Sequence, residues 1–129
     1  MAEQIFKILI FLKRRPGMSL EAFRDYYEGV HAKIGEKYAA GVRRYVRRYV
    51  QPVPHPLPGV TEEMDFDVIT ELWFDDRAIF ENVLNFASRG ELPAEVVADE
   101  ERLFDRSKSR YATVIEIASE LSTPRTKGS

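Results

Sequence analysis

Ile5 to Leu12, IFKILIFL, constrains this chain more than any other stretch. Successive side chains of a strand point to opposite faces, so Ile5, Leu9 and Phe11 share one face while Phe6, Ile8, Ile10 and Leu12 share the other. Both faces are apolar apart from Lys7, and a strand of that kind is stable only when covered from two sides. The segments that follow must therefore supply one cover, and something else must supply the second.

Lys13-Arg14-Arg15-Pro16-Gly17-Met18 reads as a turn, with Pro and Gly placed to break the strand. Ser19 is a helix N-cap and Glu21 complements the dipole of the first turn. The helix carries an apolar stripe of Leu20, Phe23, Tyr27, Val30 and Ile34, with Tyr26 at one border and His31 at the other. After Gly35 and Gly41, Val42 to Val50 alternates as a second strand with Tyr45 and Tyr49 on one face. The proline-rich stretch 51–65 is a loop, with His55 expected on the surface or in a lid. Phe66 to Phe74 is the third strand, whose Asp67, Ile69, Glu71 and Trp73 face mixes polar and apolar groups as a cavity wall does. Asp75-Asp76 caps a helix to about Ser88, Pro93 opens a short helix, and Tyr111 to Ala118 is the last strand.

That order is the ferredoxin-like split βαβ arrangement, an α+β fold with an antiparallel four-stranded sheet. Two main helices cover one sheet face, so the simplest second cover for the doubly apolar first strand is another copy of the chain, giving a homodimer packed through the sheet face. Residues 1–121 are expected to form a single domain and residues 122–129 a disordered polar tail.

Composition removes several classes of function. There are no cysteines among the 129 residues, so thiol nucleophiles, disulfides and thiolate metal sites are excluded. Two histidines without ligand spacing point to no metal site, and no glycine-rich dinucleotide motif calls for a cofactor. The formal net charge of −2 gives no nucleic-acid footprint, and Arg43, Arg44, Arg47 and Arg48 have 21 acidic residues to pair with. The longest apolar run is too short to span a bilayer and Met1-Ala2-Glu3-Gln4 has no signal-peptide character, so the expectation is a cytoplasmic protein without a membrane partner.

Two side chains stand out as candidate chemistry. In the helix after Pro93, an advance of about 100° per residue sets Glu100 among Val96, Val97, Leu103 and Phe104, while Glu95, Asp99 and Glu101 have polar faces available. A carboxylate held against apolar neighbours finds partners or takes up a proton, which is how a general acid or base comes to work near neutral pH. His31 places its ring against an apolar wall with one nitrogen free for a cavity. The bland alternatives are a packed, hydrogen-bonded histidine and a glutamate whose head reaches water.

Phe11 to Ser19 (FLKRRPGMS), followed by Phe23, Tyr26, Tyr27 and His31, resembles the start of EthD-like proteins of the dimeric α+β barrel superfamily. Val42 to Val46 and Glu71 to Phe74 resemble that family's middle strands, and Asp99-Glu100 with Asp105 resembles its late acidic motif. That motif usually carries an aromatic residue three positions after the glutamate; here Leu103 stands there, with Phe104 next. The resemblance implies a dimeric α+β barrel and an activity on small molecules. One founding member is associated with bacterial ether degradation in a supporting role, and fungal relatives are similar to decarboxylases of aromatic polyketide acids.

Residues and resemblance together point first to a cofactor-independent enzyme performing a lyase-type step on an aromatic or polyketide-like substrate. His31 and Glu100 are the expected catalytic pair, Tyr27 or Tyr45 the donor to a developing oxyanion, and Phe23 and Trp73 the apolar wall for the substrate. The alternatives are an oxidoreductase or accessory role in the degradation of ethers or aromatics, and a non-catalytic ligand-binding dimer.

Overall fold

A computed structural model describes residues 4–122. The elements follow one another as β1 (Phe6–Leu12), α1 (Leu20–Tyr26), a π-helical turn (Tyr27–His31), α2 (Ala32–Lys37), β2 (Arg44–Tyr49), β3 (Val68–Phe74), α3 (Arg77–Ser88), α4 (Ala94–Leu103), a 3₁₀ turn (Arg106–Lys108) and β4 (Arg110–Thr113). The sheet order is β2-β3-β1-β4 with every neighbouring pair antiparallel. Each half is a strand, helical segment and strand whose two strands are separated by one from the other half, which is the ferredoxin-like fold.

Register assigns the two faces. Lys7 pairs with Trp73, Leu9 with Glu71 and Phe11 with Ile69, while Arg44 and Val46 of β2 lie opposite Trp73 and Glu71. These residues share the face that the helices leave open. The other face carries Ile8, Leu12, Val68, Thr70 and Phe74, all buried beneath the helices. Its centre is an aromatic cluster in which Phe23 stacks edge-on against Tyr27, Tyr49 and Phe104.

The basic turn after β1 is a clamp. Arg14 donates through its backbone N–H and its guanidinium to the two oxygens of buried Asp67 just before β3, both at 2.9 Å, and through Nε to the carbonyl of Met18 at 2.8 Å. Lys13 pairs with Glu63 of the long loop. Ser19 accepts the N–H of Ala22 as N-cap, a contact of about 1 kcal/mol, and Asp76 caps α3 in the same way. The strand arginines are engaged as their acidic surroundings foretell: Arg43 with Asp75, Arg47 with Glu28, Arg48 with Glu71, and Arg44 over the Trp73 ring.

Two expectations need correction. β4 ends at Thr113 rather than running to Ala118, and Ile115 and Ile117 beyond it are each 91% exposed. Their period-two alternation is real, but the ladder to β1 stops at the Ile8–Thr113 pair. Asp99 does not occupy a polar face; it is 1% exposed. His55 lies in the exposed loop and accepts the N–H of Leu57. Of the polar tail, residues 123–129 lie outside the described residues. No helix among the described residues is long and apolar enough to cross a membrane.

Candidate functional site

The first helix does not keep a single pitch. Between Tyr27 and His31 it widens by one residue, so that the N–H of Ala32 bonds to the carbonyl of Tyr27 five positions back. Such π turns are uncommon and concentrate at functional sites. This one brings His31 under the sheet-facing side, where the whole residue is 5% exposed and its ring lies edge-on to Tyr27 and Phe104, each at 5.2 Å between centroids.

The partner of His31 is Asp99. Nδ1 of the imidazole is 2.8 Å from Oδ2 of Asp99, while the phenol of Tyr26 donates to Oδ1 at 2.5 Å. Arg102 stands 3.7 Å from the same carboxylate at the surface. A carboxylate only accepts, so in the neutral ring the proton sits on Nδ1 and Nε2 carries the lone pair. Nε2 has no hydrogen-bond partner among the described residues. Burial pushes the His31 pKa below its ordinary value of 6.5, with the Asp99 charge opposing. The ring is therefore neutral at pH 7, with Nε2 as its basic nitrogen.

Glu100 is the next residue of α4, yet it turns elsewhere. It is 9% exposed and lines a cavity of about 150 Å³ with Ala87, Leu92, Val97, Arg106 and Tyr111. Its one ionic partner among the described residues is Nε of Arg106, at a long 3.4 Å. Burial raises its pKa and Arg106 opposes the rise. His31 does not line this cavity. The contact expected between His31 and Glu100 is thus made by His31 with Asp99, and Glu100 lines a hollow that His31 does not reach.

The remaining expected site residues divide. Phe23, 1% exposed, packs in the aromatic core. Tyr27 touches the His31 ring, but its hydroxyl is shared with Thr70 at 2.6 Å and receives the Tyr45 hydroxyl at 3.3 Å, and burial raises the pKa of both phenols so that they remain protonated. Trp73 lies on the open sheet face, between Lys7 and Arg44, with its indole N–H donated to Glu71 at 2.9 Å. It faces away from His31 and forms no wall with Phe23. Tyr26, Asp99, Arg106 and Tyr111 were not among the expected site residues, although Tyr26 and Asp99 lie in the stretches that carry the family resemblance. For Asp99 a signal existed: it lies three residues after Val96 and four before Leu103, the spacing of a core-facing stripe.

No group of three or more His, Asp or Glu side chains among the described residues is arranged to hold a metal ion. With this geometry in view, comparison with known proteins places the chain: residues 15–107 match the model of the EthD domain. The chain belongs to the EthD family. The EthD match begins at the basic clamp and ends in the 3₁₀ turn, so it spans His31, Asp99 and Glu100. A solved EthD-family structure from Bacillus halodurans C-125, an ethyl tert-butyl ether D protein, is 20% identical with a TM-score of 0.54, covering 87% of this chain and 99% of its own. An EthD-like protein from Ralstonia eutropha JMP134 is 16% identical with a TM-score of 0.52, covering 97% of this chain and 98% of its own. A dimeric ferredoxin-like protein from an uncultured marine organism is 14% identical with a TM-score of 0.50, covering 94% and 95%. At these identities the likeness shows the fold. No curated protein matches the chain.

Proposed function

We propose that this EthD protein is a cofactor-independent enzyme that moves a proton through His31 in a lyase-type step on an aromatic or polyketide-like small molecule. The observation that carries the reading is the buried imidazole whose Nδ1 is fixed on Asp99 and whose Nε2 has no partner among the described residues. A buried ring nitrogen left without a hydrogen bond is costly to the fold, and such groups are retained where a ligand completes them. Nε2 takes a proton from a carbon beside a carbonyl, the electron pair left behind expels the leaving group, and the imidazolium returns its proton to that group. Asp99 positions the ring and stabilises the imidazolium, as the acidic partner of a catalytic histidine does. A positioned base of this kind contributes about 10²- to 10⁴-fold in rate.

The active form is a homodimer packed through the open sheet face. Leu9, Phe11, Val46 and Ile69 on that face remain only half-buried in the protomer, and the charges among them are already paired, Arg48 with Glu71 at 2.7 Å.

The test is turnover of a panel of aromatic keto and hydroxy acids, with products followed by mass spectrometry. His31→Ala is expected to lose at least 100-fold in kcat/KM while the protein stays folded. In Asp99→Asn the acid limb of the pH profile is expected to move to lower pH, because the charge that raises the His31 pKa has gone. Full activity in His31→Ala would end the proton-transfer reading, and wild-type binding without product from any member of the panel would leave a ligand carrier instead.

A further inference from the structure

The cavity beside Glu100 stands apart from His31, and nothing in the His31 chemistry uses it. Its dimensions and its lining are specific. About 150 Å³ leaves room for a single six-membered ring in a hollow that is partly open to solvent. Its lining is mixed: Ala87, Leu92, Val97 and the Tyr111 ring supply the apolar part, and Glu100, Arg106 and Ser109 the larger polar part. Among its lining residues is a carboxylate in deficit: the Glu100 side chain is 12% exposed, has room for several donors, and has only the 3.4 Å contact from Arg106 to one oxygen among the described residues. Oε2 has no donor at all among them. A ligand that satisfies this site brings a flat apolar body and one hydroxyl donor. It does not bring a negative charge, since Glu100 is acidic and Arg106, the only nearby cation lining the cavity, is already turned toward it.

We propose that the Glu100–Arg106 cavity binds a neutral one-ring phenol, with the phenolic O–H donated to Glu100 and the ring held by Val97, Leu92 and Tyr111. The inference is independent of the reading of His31. If the phenol is a substrate fragment, a product or an effector, the same contacts hold it. Placement beside Asp99, one residue back along α4, puts a phenol bound here next to the helix that fixes His31.

The experiment is a titration of the full-length protein with phenol, followed by the backbone amide signals in ¹H–¹⁵N spectra, with toluene and benzoate as comparators. Phenol is expected to give saturable shifts centred on Gly90, Leu92, Val97 and Glu100. Toluene, which has the ring without the donor, and benzoate, which has the ring with a charge, are expected to bind at least tenfold more weakly. Glu100→Gln is expected to weaken phenol at least tenfold, consistent with loss of a hydrogen bond to a charged group. Val97→Phe, which fills the space and leaves the polar groups in place, is expected to abolish the shifts, so either variant suffices should the other not fold. The proposal is overturned if no saturable shifts appear at these amides, if toluene or benzoate binds as well as phenol, or if the folded variants bind phenol like the wild type. Shifts centred on His31 and Phe104 overturn it too, and would support the His31 reading alone.

Discussion

At the scale of single residues, two buried titratable groups, the imidazole of His31 and the carboxyl of Glu100, respond to pH with opposite sign. His31 has its folded pKa lowered by burial, so the folded state resists its protonation. Its contribution to stability is complete above the unfolded value of about 6.5 and is lost as pH falls below it toward the folded value. Glu100 has its folded pKa raised by burial, so its contribution is complete in acid, below the unfolded value of about 4.5, and is lost as pH climbs through the raised folded value. Thermal unfolding of Glu100→Gln is therefore expected to give a higher Tm than wild type at pH 7 and an equal one at pH 4. His31→Gln is expected to flatten the decline in Tm between pH 6.5 and 5. A Glu100→Gln protein less stable at pH 7 would mean that the Arg106 contact outweighs the cost of burying the charge.

At the scale of elements, the glycines of the first βαβ half test the helix and its exit. Gly29 lies within the π turn at negative φ, is exposed, and a Cβ there would meet nothing within 4 Å. Gly29→Ala is expected to stabilise by about 0.5–1 kcal/mol, read as a shift in the denaturation midpoint. Gly41 has φ +83 and its Cβ would lie 2.8 Å from Ile79 Cδ1 on α3. Gly41→Ala is expected to cost on the order of 1–3 kcal/mol by the same measurement. Elements were also where sequence was most readable. Alternation in Phe6–Leu12 and Val68–Phe74 and the capping residues Ser19 and Asp76 placed strands and helices to within a residue or two, because binary pattern and cap chemistry act locally. The candidate site was readable only in part. His31 announced itself, but its partner did not, because Asp99 and Glu100 differ by one 100° step between two apolar stripes and only packing decides which stripe faces the histidine. The π turn was invisible to a 3.6-residue period, and no turn residue between Thr113 and Ala118 marks the early end of β4.

At the scale of the whole molecule, the open sheet face and the apolar segment after β4 set what the chain does in solution. The protomer leaves Ile115, Ile117 and Leu121 at 86–91% exposure, three large apolar side chains within one short segment. For the proposed dimer, light scattering is expected to give twice the mass of the 14.9 kDa chain, and the apparent Tm is expected to rise with protein concentration by mass action. Val46→Glu, a second acid beside Glu71 on that face, is expected to shift the mass toward the monomer while leaving the helices intact by circular dichroism.

The only tryptophan of the chain gives this face its own optical reporter. Trp73 is set between two cations on the side the helices leave bare, away from His31 and outside the Glu100 cavity lining. Its emission is thus tuned by what approaches the sheet from outside. Dilution of the native protein should move the emission maximum while the far-ultraviolet signal stays constant, and quenching by iodide should distinguish a covered indole from a bare one without any label being attached.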